Sequence, residues 1–278
     1  MKFKTFILLV LVMAFLIPGE AFARDNKFKH NGELSIWNTD LYGSLELNNT
    51  GYSLKSNFKG DGNFSKKNAA SFGWTYSTGK LSDVYVGYTQ IKNSGNLRAY
   101  STGNVNFNGV VFSNTGTANI NLDIKLDAFD IMGARELTKG EKGYVDFIYG
   151  FKIMKFNIDA VGTDAGFTNA RSSYSITLPL PNFGVRGVYN FAKDWNFYGM
   201  FSGFSINRSG KSGTLKNIDT GFEYHIPQKS VGVDNKNNQK IDWYVQLGYR
   251  AEYIKGKDDN NTIVIDHEGP QLKVIGRF

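Results

Sequence analysis

The chain has 278 residues, of which 41% are hydrophobic and 15% aromatic, and it contains no cysteine. This hydrophobic content excludes an intrinsically disordered chain. The lack of cysteine excludes disulfide scaffolds, cysteine-ligated zinc or iron–sulfur sites and thiol nucleophiles. The formal net charge is +7 at pH 7. Because the chain begins with an export signal, we do not expect this basic balance to serve nucleic-acid binding.

The first 23 residues have the layout of a secretory signal peptide. Two lysines precede an apolar run at residues 6–17, and Ala21-Phe22-Ala23 provides a small-x-small cleavage site. The run is too short to span a bilayer comfortably, and no run of about 18 apolar residues follows it. We therefore divide the chain into a signal peptide, residues 1–23, and one mature domain, residues 24–278.

From residue 32 onward the sequence alternates between apolar and polar residues, which is typical of strands with one apolar and one polar face. The clearest stretch is 241–254, where the odd positions are apolar or aromatic and the even positions are mostly polar or small. Turn-forming residues divide the alternation into ten predicted strands. These are at about residues 32–47, 69–78, 81–91, 118–136, 141–158, 173–191, 194–206, 214–227, 240–254 and 262–278.

Many of these stretches exceed the usual five or six residues of strands in globular proteins. Aromatic residues also gather near the strand ends, as in the two interfacial belts of a transmembrane barrel. We assign to these belts Trp37, Trp74, Tyr76, Tyr144, Tyr189, Phe191, Trp195, Trp243 and Tyr253.

The last strand ends in Phe278, and an alternating final strand closed by phenylalanine resembles the C-terminal signature of bacterial outer-membrane β-barrel proteins. The whole mature chain is similar in layout to porin-like and OmpA-like barrels. The resemblance implies an all-β fold, a closed antiparallel transmembrane barrel in a Gram-negative outer membrane, with Phe278 read by the assembly machinery. A closed sheet would also pair every backbone N–H and C=O within hydrocarbon.

We expect about ten strands, with eight and twelve as alternatives. Eight would result if the N-terminal region were not inserted, and twelve if residues 104–113 spanned the membrane as two strands. Asn108-Gly109 is a strong hairpin signal, so we predict instead that residues 104–113 form a small hairpin outside the membrane. Short turns would face the periplasm together with both termini. Longer outer connections are predicted at residues 48–68, 91–117, 159–171, 207–213 and 255–261.

If the apolar face contacts lipid along every strand, the polar face lines the lumen. The predicted lumen carries both signs of charge, whereas a selectivity ring would favour one sign. A barrel of about ten strands is narrow, and unpaired buried charge is unfavourable, so we expect an ion-paired filling. The predicted lumen charge network is Asp123, Lys125, Asp127, Asp146, Lys152, Arg186, Asp219, Glu223, Asp242, Arg250, Glu252 and Lys273.

The predicted function is a structural envelope protein or a small-solute porin-like channel with this narrow lumen. One alternative is a surface adhesin or receptor whose basic outer loops also suit lipopolysaccharide phosphates. Its candidate surface-binding residues are Lys55, Lys59, Lys66, Lys67 and Arg98. Expected partners are outer-membrane lipid, lipopolysaccharide, the barrel-assembly machinery and small solutes, with no nucleic acid, and we expect a monomer.

The second alternative is a barrel enzyme that hydrolyses lipid or peptide. The sequence has three histidines, and His267 lies between Asp266 and Glu268, where an acid-flanked imidazole could act as a base. Asp258 and Asp259 are also predicted near the outer rim, as an omptin-like protease would require. No motif supplies a positioned serine, so we assign no catalytic residue. Lys236 occupies a ligand position of the only calcium-loop-like segment, so we expect no metal and no cofactor.

Overall fold

The computed structural model describes residues 29–49, 52–59, 64, 66–78, 82–101, 105–107, 110–112, 116–164, 167–208, 211–227, 241–258 and 261–278. The predicted signal peptide and the calcium-loop-like segment lie outside these residues. No helix in the described part of the chain is long and apolar enough to cross a membrane.

Long antiparallel strands make up almost all of the described chain. In chain order the strands are β1 (His30–Asn49), β2 (Tyr52–Asn57), β3 (Lys67–Ser77), β4 (Ser82–Ser101), β5 (Val105–Phe107), β6 (Val110–Phe112), β7 (Gly116–Gly140), β8 (Gly143–Asp164), β9 (Phe167–Ala192), β10 (Trp195–Arg208), β11 (Lys211–Ile226), β12 (Asp242–Asp258) and β13 (Asn261–Arg277).

Ten of these strands form one closed barrel, in the order β1, β3, β4, β7, β8, β9, β10, β11, β12, β13. The sheet closes where β13 pairs with β1, from Asn31 opposite Arg277 to Leu47 opposite Asn261. The predicted closed antiparallel barrel of ten strands is therefore confirmed. The short strands β5 and β6 pair only with each other, as the predicted hairpin around Asn108-Gly109 requires.

The strands at one end of the barrel run further than the sequence analysis predicted. We call the end that carries His30, Phe278 and the turns at residues 141–142 and 193–194 the near end, and the opposite end the far end. At the far end the predicted loop 159–171 is mostly strand, because β8 continues to Asp164 and β9 begins at Phe167. The predicted loops 207–213 and 255–261 were wrong in the same way, and parts of 48–68 and 91–117 are also strand.

Strand β1 changes its pairing partner near Gly43. Residues 30–39 of β1 pair with β3, and residues 44–49 pair with β2. Gly43 has a φ of +129°, and its carbonyl accepts a hydrogen bond from the Phe58 N–H at 3.0 Å. A Cβ at Gly43 would lie 2.0 Å from the Val264 carbonyl oxygen, so this close approach of β1 to β13 requires glycine.

Candidate functional site

The outer surface of the near half is an apolar band. Large apolar side chains point away from the barrel there, and the most exposed are Leu34 at 68% and Leu247 at 62%. Such a band matches the lipid-facing surface of a transmembrane barrel. Other members are Ile36, Phe72, Trp74, Tyr76, Phe129, Ile131, Val145, Phe147, Phe183, Val185, Tyr189, Phe191, Trp195, Phe197, Phe201, Ile218, Phe222, Trp243 and Leu272.

In the far half the polar side chains lie on the outer face of the sheet and the apolar side chains on the inner face, the reverse of the near half. Between residues 121 and 134 of β7 the odd positions point outward, but they change from apolar Phe129 and Ile131 to charged Asp127 and Lys125. The even positions of the same segment point inward, and here Leu126 is 1% exposed. Because the strand keeps its orientation, the swap means that the far half has a polar outside and an apolar inside, like a water-soluble barrel.

The apolar side chains of the far half form one cluster that fills the barrel interior. Strands on all sides of the barrel contribute to it, and Phe58 also packs into it from the turn after β2. We call this cluster the far core. Its buried members are Trp37, Leu41, Leu45, Phe58, Ala69, Ile91, Leu122, Ile124, Leu126, Ala128, Met154, Phe156, Ile158, Ala160, Leu215, Ile254 and Ile265.

The interior of the near half is polar and ion-paired. Lys152 is 2% exposed, and its Nζ lies 3.1 Å from the carboxylates of both Asp130 and Glu252. Glu252 also pairs with Arg250, with Nη2 and Oε2 3.2 Å apart. The Arg250 guanidinium lies 4.7 Å from the Trp37 ring centre, so Trp37 is the member of the far core that borders these charges. The buried charges are thus compensated, as burial requires.

Three further cations lie closer to the near end. Arg186 Nε is 2.8 Å from Asp146 Oδ2, and another guanidinium nitrogen of Arg186 pairs with Asp83. Lys273 Nζ lies 3.3 Å from Asp219 Oδ2, and Arg277 Nη2 lies 2.9 Å from Glu223 Oε2. Together with Lys152 and Arg250, each of these lumen cations is engaged with a carboxylate.

A cavity of about 500 Å³ remains among these side chains. Its wall includes Glu33, Tyr85, Asn217 and Gln246 as well as the ion pairs. A second space of about 330 Å³ at the near end shares Glu223 with it. The polar lumen therefore extends from beneath the far core toward the near end.

The structure places nine of the twelve predicted lumen charges inside the barrel. They are Asp146, Lys152, Arg186, Asp219, Glu223, Asp242, Arg250, Glu252 and Lys273. The inward assignment of Asp123, Lys125 and Asp127 was wrong, because these residues lie on the outer face of β7 in the far half. Asp130, which the sequence analysis did not select, lies in the lumen beside Lys152.

Two aromatic residues assigned to the interfacial belts also face inward. Trp37 is 1% exposed and belongs to the far core. Tyr144 lines the cavity near Arg186. Trp37 was assigned wrongly because the apolar face of β1 turns inward after Ile36. Tyr144 was assigned wrongly because it shares the inward face of β8 with Asp146, opposite to the lipid-facing Val145 and Phe147.

His267 is buried in the barrel interior. It is 1% exposed, and its ring meets the Trp37 ring edge-on with centres 6.1 Å apart. Neighbouring Asp266 points outward, so the two do not form a rim dyad. The side chain of Asp258 and all of Asp259 lie outside the described residues.

Three of the five candidate surface lysines and arginines have described side chains. Lys59 Nζ donates to the Tyr42 hydroxyl at 2.9 Å, and this hydrogen bond raises the pKa of Lys59. Lys66 Nζ lies 3.2 Å from Asp40 Oδ2, and Lys67 is half-buried at the start of β3. The side chains of Lys55 and Arg98 lie outside the description, although their backbones belong to β2 and β4.

Phe278 lies at the seam where the barrel closes. Its N–H donates to the His30 carbonyl and its carbonyl accepts from the His30 N–H, both at 2.9 Å. The Phe278 ring stacks 5.8 Å from His30 and meets Trp74 edge-on at 5.1 Å. The residue predicted as the assembly signal therefore also joins the last strand to the first.

Comparison with known proteins identifies the type of fold. No protein-family model matches the sequence, and no curated protein matches it. The outer-membrane protease OmpT from Escherichia coli has a TM-score of 0.55 at 10% identity, over 93% of this chain and 99% of that chain. The translocator domain of the autotransporter NalP from Neisseria meningitidis has a TM-score of 0.40 at 10% identity, over 99% and 95% of the two chains.

Identity this low makes the likeness to OmpT evidence for the fold alone. The apolar outer band is a separate physical reason for a membrane location, because exposure of so many aromatic and aliphatic side chains to water would be unfavourable. The chain therefore has the closed ten-strand fold of bacterial outer-membrane β-barrels, together with the apolar outer band by which such barrels contact lipid.

Proposed function

We propose that this protein is a non-conducting envelope barrel that carries a rigid β-structured half beyond the membrane. The observation that supports this function is the far core, which fills the interior with apolar side chains just beyond the charged lumen. A solute entering the near half would meet Trp37, Leu126 and Phe156, which are each at most 3% exposed. Apolar constrictions exclude water and hydrated ions, so the arrangement favours the structural role over the porin-like channel.

Planar-bilayer recording of the purified barrel tests this function. We expect no stepwise conductance from the natural protein, because its far core leaves no aqueous path. The triple variant Leu122→Ala, Leu126→Ala and Phe156→Ala should introduce conductance by shortening side chains of the far core. The outward-facing triple Asp123→Ala, Asp127→Ala and Asn157→Ala on the same two strands is the matched control and should stay silent. Reproducible conductance steps from the natural protein would refute the proposal.

A second candidate function is contact with anionic groups at the cell surface. Lys92 and Lys125 lie directly opposite each other on the outer face of β4 and β7, just beyond the apolar band. Lys125 already pairs with Asp127 at 3.0 Å, and a bound anion would further reduce the repulsion between the two facing lysines. Lys155 is exposed on the neighbouring strand β8, opposite Asp127. A cluster of three lysines just beyond the apolar band suits the phosphates of lipopolysaccharide.

Binding of purified lipopolysaccharide to the refolded barrel tests the second function. The triple variant Lys92→Gln, Lys125→Gln and Lys155→Gln should weaken binding and reduce its dependence on salt. Replacing the exposed near-end lysines Lys139, Lys142 and Lys193 with glutamine removes the same charge at the other end and should leave binding unchanged. Equal loss from both variants would show a response to net charge only and would exclude the far-half site.

The enzyme alternative has less support from the described residues. OmpT is a protease, but the likeness to it concerns the fold. In this chain His267 lies beneath apolar side chains of the far core, where a substrate from outside would not reach it. His30 and His225 both lie at the near end. We therefore place hydrolysis below the structural and surface-contact functions.

A further inference from the structure

We propose that the near half of the lumen is a binding chamber for a small organic cation that carries primary ammonium groups. The chamber is the cavity of about 500 Å³ beneath the far core. Its volume falls in the range typical of small-molecule sites. This inference goes beyond the non-conducting role, because a chamber open only at the near end can bind a ligand without passing it through the membrane.

The first supporting observation is a set of buried acceptor oxygens without donors. Asn182 Oδ1, Asn217 Oδ1 and Gln246 Oε1 have no hydrogen-bond partner in the described structure. Their side chains are 3%, 4% and 7% exposed, and all three line the chamber. Buried polar atoms in native proteins almost always have a protein or water partner, and here the protein supplies no donor to these three oxygens.

The orientation of Gln246 is fixed by its neighbour. Its Nε2 donates to Glu223 Oε2 at 2.8 Å, and an ionised carboxylate can only accept. The amide oxygen of Gln246 must therefore face the chamber as an acceptor. Asn217 Nδ2 donates to Ser202 Oγ at 3.4 Å, which leaves its amide oxygen toward the chamber, although a hydroxyl could equally donate to that oxygen.

The second supporting observation is a carboxylate without a cation of its own. Each lumen cation described above is already paired with at least one other carboxylate. Glu33 lines the chamber, and the positive charge that acts on it, that of Lys273, is already paired with Asp219. Its Oε1 accepts a hydrogen bond of 2.9 Å from the Tyr85 hydroxyl, which is neutral. A negative charge in this enclosed space favours a cation nearby.

These two observations select one ligand chemistry. The chamber offers acceptors and a negative charge, so the complementary ligand has several donors, no acceptor and a positive charge. An alkyl ammonium group has three donors and no acceptor, as in the lysine side chain. A sugar or other polyol is less suited, because its hydroxyls bring acceptors to a wall that already has a surplus.

The ligand would enter from the near end. The space of about 330 Å³ there joins the chamber at Tyr144, Glu223 and Arg277. The far core closes the opposite direction. With the termini on the periplasmic side, as the sequence analysis predicts, the chamber would sample small amines of the periplasm.

Titration of the full-length refolded barrel with 1,4-diaminobutane tests the proposal by calorimetry. We expect saturable binding with a dissociation constant below about 1 mM, and no saturable binding of the neutral analogue 1,4-butanediol. Glu33→Gln keeps an acceptor for Tyr85 but removes the charge, and it should weaken diamine binding about tenfold. Asp123→Asn removes one exposed charge from the outer face of β7 and is the control that should bind normally.

Several results would contradict the proposal that the chamber binds an organic cation. They are no saturable diamine binding by the natural barrel, equal binding of the diol, or unchanged binding by Glu33→Gln. If Glu33→Gln did not fold, Asn217→Ala would replace it and should also weaken binding. Diamine binding is measured without reference to conductance, so failure here leaves the non-conducting function untouched, and conductance would not by itself remove the chamber.

Discussion

The two halves of this barrel are built from the same strands, but the outer face of one contacts lipid and the outer face of the other contacts water. In the near half, Phe129 and Ile131 face lipid while Asp130 is buried in the lumen. In the far half, Lys125 faces water while Leu126 is buried in the far core. The backbone pairing of β7 with β8 continues across the change. The side chains alone therefore decide which half suits a membrane and which half suits water.

The comparison also explains how one barrel is held together by two kinds of interior. The far half gains from apolar burial, which contributes about 1.5–3 kcal/mol for each large aliphatic or aromatic side chain. The near half instead buries compensated charges, whose removal one at a time is unfavourable. The effect of a substitution should therefore depend on both the half and the face of the barrel in which it lies, and the following experiments test this.

The largest difference should come from introducing a charge into adjacent residues of β8. Phe156 is 3% exposed in the far core, and Asn157 is the next residue on the outer face, opposite Lys125. Phe156→Asp should destabilise the barrel by more than about 5 kcal/mol, because it loses apolar burial and leaves an unpaired buried carboxylate. Asn157→Asp should change stability by less than about 1 kcal/mol. Urea unfolding in lipid vesicles measures both, and equal effects would contradict a filled far half.

A smaller difference should separate two lysines. Lys152→Met leaves the carboxylates of Asp130 and Glu252 without their shared cation, and we expect a loss of about 3–5 kcal/mol. Lys125→Met breaks an exposed pair with Asp127 and should lose no more than about 1 kcal/mol. The same unfolding assay applies. A Lys152 variant as stable as the Lys125 variant would mean that water reaches the lumen charges freely.

The smallest of the three contrasts concerns arginine on the outer face of β9. Phe183 is 44% exposed in the apolar band, and Phe183→Arg should destabilise the barrel by about 2–4 kcal/mol if it lies near the bilayer midplane. Ser173 is exposed on the same face in the far half, and Ser173→Arg should stay within about 0.5 kcal/mol of the natural protein. If Ser173→Arg were as harmful as Phe183→Arg, lipid would cover both halves.

Strand number and closure could be predicted from the sequence because they depend on alternation, which both halves share. The assignment of faces could not, because alternation alone does not say which solvent lies outside. A signal for the exchange is nevertheless present, since two adjacent apolar residues mark the point where the apolar face changes sides. Such pairs are Ala128-Phe129 in β7, Ile153-Met154 in β8 and Ile36-Trp37 in β1.

The candidate site shows the same limit. Nine of the twelve predicted lumen charges lie inside because they belong to strand segments whose polar face is enclosed. The assignment was wrong for Asp123, Lys125 and Asp127, and it missed Asp130. The reason is that the apolar face of β7 changes sides between residues 127 and 130. The unpartnered amide oxygens of the chamber depend on side-chain contacts between distant strands, which no local pattern contains.

Spin labelling along β7 tests the exchange of faces most directly. The chain has no cysteine, so single cysteines at residues 121–132 can each carry one label without background. In lipid vesicles, labels at the odd positions should be accessible to a water-soluble relaxation agent up to residue 127 and to oxygen dissolved in lipid from residue 129. Labels at even positions 122–126 should be shielded from both. Lipid accessibility at every odd position, or water accessibility at residues 122–126, would contradict the account.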